Sequence, residues 1–198
     1  MATHSKRVLQ AIAVTCELTG TQLSEAAARV FADDLAKYPE EQVLGSLSRC
    51  RREVRSKLTL ADVIGRLDDG RPTPEQAWAM IPRDEGVTVV MTEDMAQAWG
   101  IARPLLDEGD QVAARMAFLE SYRSIVMQAR DAGVKPKWFP SIGHDKNGRE
   151  APLLDAVRKG LLKSDQVVGL LPHREDPTNE VLQLVEHLAK QITVTAQD

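Results

Sequence analysis

Five basic side chains fall within nine residues of this sequence: Arg49, Arg51, Arg52, Arg55 and Lys57. Arg51 and Arg55 stand one helical turn apart, so part of the set shares a face. Guanidinium groups fork onto carboxylates or phosphates through paired hydrogen bonds, which lets such a stripe dock an acidic partner or a nucleic-acid backbone. A solvated helix face is the plainer reading, because Glu53, Asp62, Asp68 and Asp69 lie near in sequence and can neutralise it. A second set, Lys135, Lys137, Trp138, Phe139, Lys146 and Arg149, mixes cations with aromatics in a stretch that also holds glycine and proline. Bases stack on aromatic rings while cations follow phosphates, so this set is the candidate nucleic-acid-binding surface for a single strand. The competing reading plugs Trp138 and Phe139 into a core, as befits large aromatics in a chain with few of them. Trp78 is open to the same two readings, core residue or exposed anchor, since tryptophan is favoured in interface hot spots. Arg51, Arg52, Arg55 and Trp78 are accordingly the candidate partner-binding residues.

The motifs of common catalysis are missing. The sequence contains no Gly-x-x-x-x-Gly-Lys-Ser/Thr phosphate loop, no Gly-x-Gly-x-x-Gly fingerprint, no His-Glu-x-x-His, no Cys-x-x-Cys and no Gly-x-Ser-x-Gly elbow. His144 stands beside Asp145, but His4, His173 and His187 are scattered without ligand spacing. The expectation is a chain that is not an enzyme and uses no cofactor and no metal.

Composition bounds the class. With 198 residues, 43% hydrophobic and 27% charged, the chain is long enough for one ordinary domain or two small ones and is too apolar for wholesale disorder. Its 25 basic and 29 acidic residues give a formal charge of -4, so any nucleic-acid surface is local. The two cysteines, Cys16 and Cys50, are too sparse for a disulfide framework and fit a reducing compartment as buried thiols. Neither a leader nor an apolar run of about 18–20 residues is legible, so the expected setting is cytoplasmic, with no membrane partner.

Few aromatics (4%) and recurring Ala, Leu, Glu and Gln predict an all-α protein. Four helices are expected in the first 70 residues. Val8, Leu9, Ile12, Ala13 and Cys16 step along the first; Leu23, Ala27, Val30, Phe31, Leu35 and Tyr38 along the second, capped by Thr21 or Ser24. Pro39, Glu40 and Glu41 open the third, and Thr59 with Asp62 caps the fourth. Thr73, Pro74 and Gln76 start a short helix to Met80, followed by a breaker-rich stretch that ends the hinge. Val87, Thr88, Val89, Val90 and Met91 form a strand-like run, read as an extended lead into the next helix unless it pairs elsewhere. That helix begins at Thr92, with Pro104 expected to kink or restart it. The longest helix is outlined by Val112, Met116, Leu119, Tyr122, Val126 and Ala129 and ends near Gly133. A loop over 135–149 leads to two shorter helices over 153–162 and 164–171, and Val181, Leu184, Val185, Leu188 and Ile192 mark a C-terminal amphipathic helix that packs back or serves a partner. The domain expectation is an N-terminal helical domain over 1–70, a Pro/Gly-containing hinge with a short helix over 71–86, a second helical domain over 87–172 and a C-terminal helix and tail over 173–198.

The segment Leu35-Ala36-Lys37-Tyr38-Pro39, the helix with Val43 and Leu47, the run Leu58-Thr59-Leu60-Ala61-Asp62-Val63-Ile64 and the run Pro72-Thr73-Pro74-Glu75-Gln76-Ala77-Trp78 together resemble phage replication proteins that load or inhibit the bacterial replicative helicase. The resemblance covers about residues 20–80. It implies a non-catalytic DNA-replication adaptor whose partner is a hexameric replicative helicase, with single-stranded DNA as a further ligand during delivery. The alternative from the residues alone is a nucleic-acid-binding regulatory protein acting through the basic stripe at 49–57.

Overall fold

The computed structural model describes residues 6–82 and 84–171. The fold is predominantly helical, with one two-stranded antiparallel sheet among the described residues. The expected C-terminal helix and tail over 173–198 lie outside the described residues. The chain divides into two compact units: residues 1–71 with 123–135, and residues 72–122 with 136–198. The division is interleaved where the sequence suggested consecutive domains. The short helix expected in the hinge groups with the second unit, and the end of the longest helix groups with the first.

In the first unit, α1 (Lys6–Leu18), α2 (Glu25–Leu35), α3 (Glu40–Glu53) and α4 (Leu60–Gly65) follow local signals. Ser24 caps α2 by accepting from the Ala27 amide, and Thr59 and Asp62 close a reciprocal capping box on α4. Such caps satisfy amides that an open helix end leaves without partners. The core is built from Val8, Ile12 and Cys16 of α1, Ala32 and Leu35 of α2, Val43, Leu47 and Cys50 of α3, and Val63 and Ile64 of α4. Ala13 and Val30, expected on inner faces, are exposed. Burial raises both cysteine thiols above their ordinary range, which suppresses the reactive thiolate.

In the second unit, α5 (Pro74–Met80) carries the Thr73–Gln76 capping box with Pro74 in its first turn, and α6 (Glu93–Asp107) is capped by Thr92. α6 continues through Pro104 to Asp107, so the helix does not restart there. The strand-like run pairs after all: β1 (Val89–Thr92) is antiparallel to β2 (Trp138–Ser141), with Val90 opposite Pro140 and Met91 opposite Phe139. In a two-stranded sheet each strand is an edge, which is where proline's missing amide is tolerated. α5, α6 and α8 (Glu150–Arg158) pack on β1, and Val90 joins Leu153, Ala156, Val157, Leu162 and Val167 in an apolar cluster completed by α9 (Ser164–Val168). Beyond the ladder, the His144 and Asp145 amides donate to the carbonyls of Glu85 and Gly86. The Gly143 amide donates to Thr88 Oγ1. A Cβ on Gly143 would lie 2.1 Å from the Gly86 carbonyl oxygen, so this approach requires glycine.

α7 (Gln111–Asp131) is the longest helix, and its residues belong to the second unit through Tyr122 and to the first from Arg123. Its buried stripe is Ala114, Phe118, Leu119, Tyr122, Val126 and Arg130. Val112 and Met116, expected on that stripe, are instead 75% and 57% exposed. Two apolar rows run along the N-terminal half of this helix, and the one holding Phe118 faces the core because it presents the larger aromatic area for burial.

Candidate functional site

The basic residues of the first unit divide into two groups. Arg49 donates to the Arg66 carbonyl at 3.1 Å and pairs with Asp68 at 2.9 Å, and Arg51 donates to Thr15 Oγ1 at 3.0 Å, tying α3 to α1. These two guanidinium groups are part of the scaffold. Arg52, Arg55 and Lys57 are exposed and carry no ion pair among the described residues. They lie at the end of α3 and in the extended segment after it, where Val54 leaves helical geometry.

The sequence-based reading missed a guanidinium cluster in the same unit. Arg130 of α7 is 9% exposed and its Nε and Nη2 each reach Asp69 at 3.0 Å. The same side chain donates to the carbonyls of Gly65 and Leu67, each at 2.7 Å, and of Ile64 at 3.3 Å. Arg71 pairs with the same carboxylate through the oxygen that Arg130 Nε also reaches, and donates to the Val134 carbonyl at 2.9 Å. Burial works to raise the Asp69 carboxyl, but the two guanidinium groups outweigh it and hold the group below the usual carboxylate range. The cluster holds the loop after α4 against the end of α7, and its donors are already used internally. The Asp69-Gly70-Arg71 turn was its only sequence signal.

The mixed set of cations and aromatics is not one loop. Trp138 and Phe139 are consecutive residues of β2 and both are half-buried, Trp138 against the Val90 cluster. Successive strand residues point to opposite faces, so the two rings do not form a shared platform. Lys137 pairs with Glu93 at 3.5 Å. Arg149 donates through Nε and Nη2 to the Gly143 carbonyl, at 3.2 and 2.8 Å, clamping the turn after β2. Lys135 and Lys146 are exposed.

Trp78 holds the feature that stands out in the second unit. Its ring is tilted against Phe118 at 5.3 Å and Trp99 at 6.3 Å between centroids, and Phe118 stacks on Tyr122 at 5.7 Å. The Tyr122 hydroxyl donates to the Pro72 carbonyl at 3.1 Å, which fixes the segment leading into α5. Trp78 is thus both core and surface: one part packs in this aromatic cluster and the rest lines an open groove of about 500 Å³ with Leu106, Val112, Arg115 and Met116. The groove runs between the end of α6 and the first turns of α7, where the Asp110 carboxylate accepts from the Ala113 amide. Arg115 is exposed, has no ion pair among the described residues and is the one charged side chain in the lining. A half-buried tryptophan beside exposed Val112 and Met116, rimmed by a guanidinium, has the make-up of a protein-docking surface. The adaptable thioether of Met116 suits such a role.

Among the described residues no group of three or more His, Cys, Asp or Glu side chains is arranged to hold a metal ion, and no helix is long and apolar enough to cross a membrane. No family model matches the chain, and neither a curated protein nor a solved structure matches it.

Proposed function

We propose that this chain is a non-catalytic DNA-replication adaptor that binds a hexameric replicative helicase and loads or inhibits it. The observation that carries the reading is the open apolar groove at Trp78, Val112 and Met116, built on a fixed aromatic cluster. A rigid anchor of this kind binds with little ordering cost, because its ring is already held in place. The similarity of residues 20–80 to helicase loaders and inhibitors supplies the partner class. Binding of this kind shifts a ring between open and closed states only by its differential affinity for the two, so the adaptor works without turnover of its own. The test is size-exclusion chromatography with light scattering on the full chain mixed with a hexameric bacterial replicative helicase. A defined complex at micromolar concentration is expected, and its absence would overturn the assignment for that helicase.

The exposed, unpaired Arg52, Arg55 and Lys57 support a second reading, a nucleic-acid-binding regulator. Phosphate contacts release counterions, so that reading requires DNA binding that weakens steeply with salt and whose salt slope falls when Arg52 and Arg55 are neutralised.

A further inference from the structure

Met116 lines the groove at Trp78 and is 57% exposed. We propose that Met116 is a modification site: hydrogen peroxide or an organic hydroperoxide oxidises its thioether selectively, and the sulfoxide turns the groove from apolar to polar.

Access sets the selectivity. Peroxide oxidation needs direct contact with the sulfur, so exposure ranks the candidates. Among the other described methionines, Met91 and Met95 are buried, at 3% and 0% exposure, and Met80 and Met127 are half-buried. The Met95 sulfur also accepts from the Thr92 amide at 3.5 Å, and Met127 packs against the core of the first unit. The competing thiols are shielded too. Cys16 and Cys50 are buried, and burial keeps both protonated, away from the thiolate form that peroxides attack.

In the oxidation a lone pair on Met116 Sδ attacks one peroxide oxygen, the O–O bond breaks and an S–O bond forms. The sulfur loses two electrons and the peroxide is reduced, its other oxygen leaving as water, or as an alcohol from an organic hydroperoxide. The return needs a dithiol: two thiols give up two electrons and two protons, and the sulfoxide oxygen leaves as water.

The consequence lies in the lining. Trp78, Leu106 and Val112 share the groove with Met116, and a sulfoxide oxygen makes that apolar surface polar. Gln111 and Arg115 line the same groove, and Arg115 has no ion pair among the described residues. Both carry N–H donors and the new oxygen is an acceptor, so the oxidised form has partners on site. An apolar side chain of a docking partner then meets a polar group that it cannot satisfy. Because Met116 is exposed, oxidation changes this surface without opening the core.

The effect on helicase binding rests on the adaptor reading; the selective oxidation does not. The full-length chain is treated with dilute hydrogen peroxide, and each methionine-containing peptide is followed by mass spectrometry. Met116 is expected to gain one oxygen at least tenfold faster than Met91 or Met95, and the rates are expected to converge in urea. A rate at Met116 no faster than at the buried methionines, or a ranking unchanged in urea, would overturn the inference. Anilinonaphthalene sulfonate, an apolar dye whose sulfonate matches Arg115, reads the groove without a partner. Its binding is expected to fall at least threefold on oxidation, to return with methionine sulfoxide reductase and dithiothreitol, and to be indifferent to peroxide in Met116→Leu. Dye binding that ignores oxidation of the wild type, or that falls equally in Met116→Leu, would overturn it as well. With a hexameric replicative helicase, oxidation is expected to weaken the complex at least tenfold, and full affinity of the oxidised chain would contradict the switch. Selective oxidation and the dye response, together with no helicase complex in either form, would leave the site standing and fail the adaptor reading alone.

Discussion

The two compact units use opposite chemistry for the same tasks. The first is cross-linked by guanidinium groups: Arg130 and Arg71 converge on Asp69, Arg66 bridges Glu53 and Asp62, and Arg49 and Arg51 reach Asp68 and Thr15. The second is organised around stacked aromatics, Trp78, Trp99, Phe118 and Tyr122, and leaves Val112 and Met116 outside. Much of the charge in the first unit is therefore scaffold, while the second leaves an apolar groove at Trp78 open. Residue type alone points the other way, since arginine clusters suggest ligands and apolar helix positions suggest core.

The largest expected effect comes from breaking the guanidinium cluster. Arg130→Met takes the side-chain donor from the Gly65 and Leu67 carbonyls and from part of Asp69, and the first unit is expected to lose about 3–5 kcal/mol, the usual cost of removing one partner of a buried ion pair. Hydrogen exchange at residues 60–71 would show it, and equal acceleration at residues 93–106 would erase the contrast between the units.

The same cluster sets a pH dependence. The folded Asp69 carboxyl titrates below its unfolded value, near pH 3.9, so its contribution is fully present above that value and is lost as pH falls through the lower folded value. Urea midpoints measured between pH 6 and pH 2 should fall in the acid range for the wild type. Asp69→Asn should flatten that decline, and an unchanged acid slope in this variant would remove Asp69 from the account.

Caps provide a smaller and more even comparison. Thr59→Ala on α4 and Thr92→Ala on α6 each remove a side chain that accepts a helix amide, with an expected loss of about 1 kcal/mol in either unit. Chemical denaturation would detect it; a much larger loss for Thr92→Ala would show that its burial in β1 outweighs its capping role.

The smallest expected stability effect is at the groove itself. Val112→Ser with Met116→Ser should change stability by no more than about 0.5 kcal/mol, because both side chains are exposed. A loss of several kcal/mol by urea denaturation would place these residues in the core after all.

Local signals were the legible part of the sequence. Ser24, Thr59, Thr73 and Thr92 act within three residues of themselves, and each cap is where the pattern places it. The pairing of β1 with β2 was not legible because the partner lies far along the chain and Trp138-Phe139-Pro140-Ser141 shows no alternation of apolar and polar residues. The buried face of α7 was ambiguous because two apolar rows compete on one helix, and only the tertiary position of Phe118 decides between them. Arg130 was invisible for a related reason: an arginine reads as surface until a carboxylate and three carbonyls converge on it. Trp78 was singled out from its residue type, but its groove depends on α6 and α7, whose side chains carry no motif.

The central claim is that partner docking belongs to the apolar groove of the second unit and not to the exposed cations of the first. It is tested most directly by titrating a hexameric replicative helicase with Val112→Asp/Met116→Asp and with Arg52→Glu/Arg55→Glu, side by side with the wild type, by calorimetry. Loss of the complex in the groove variant with near wild-type affinity in the charge-reversed one is the predicted result; full binding by the groove variant and loss in Arg52→Glu/Arg55→Glu would contradict it.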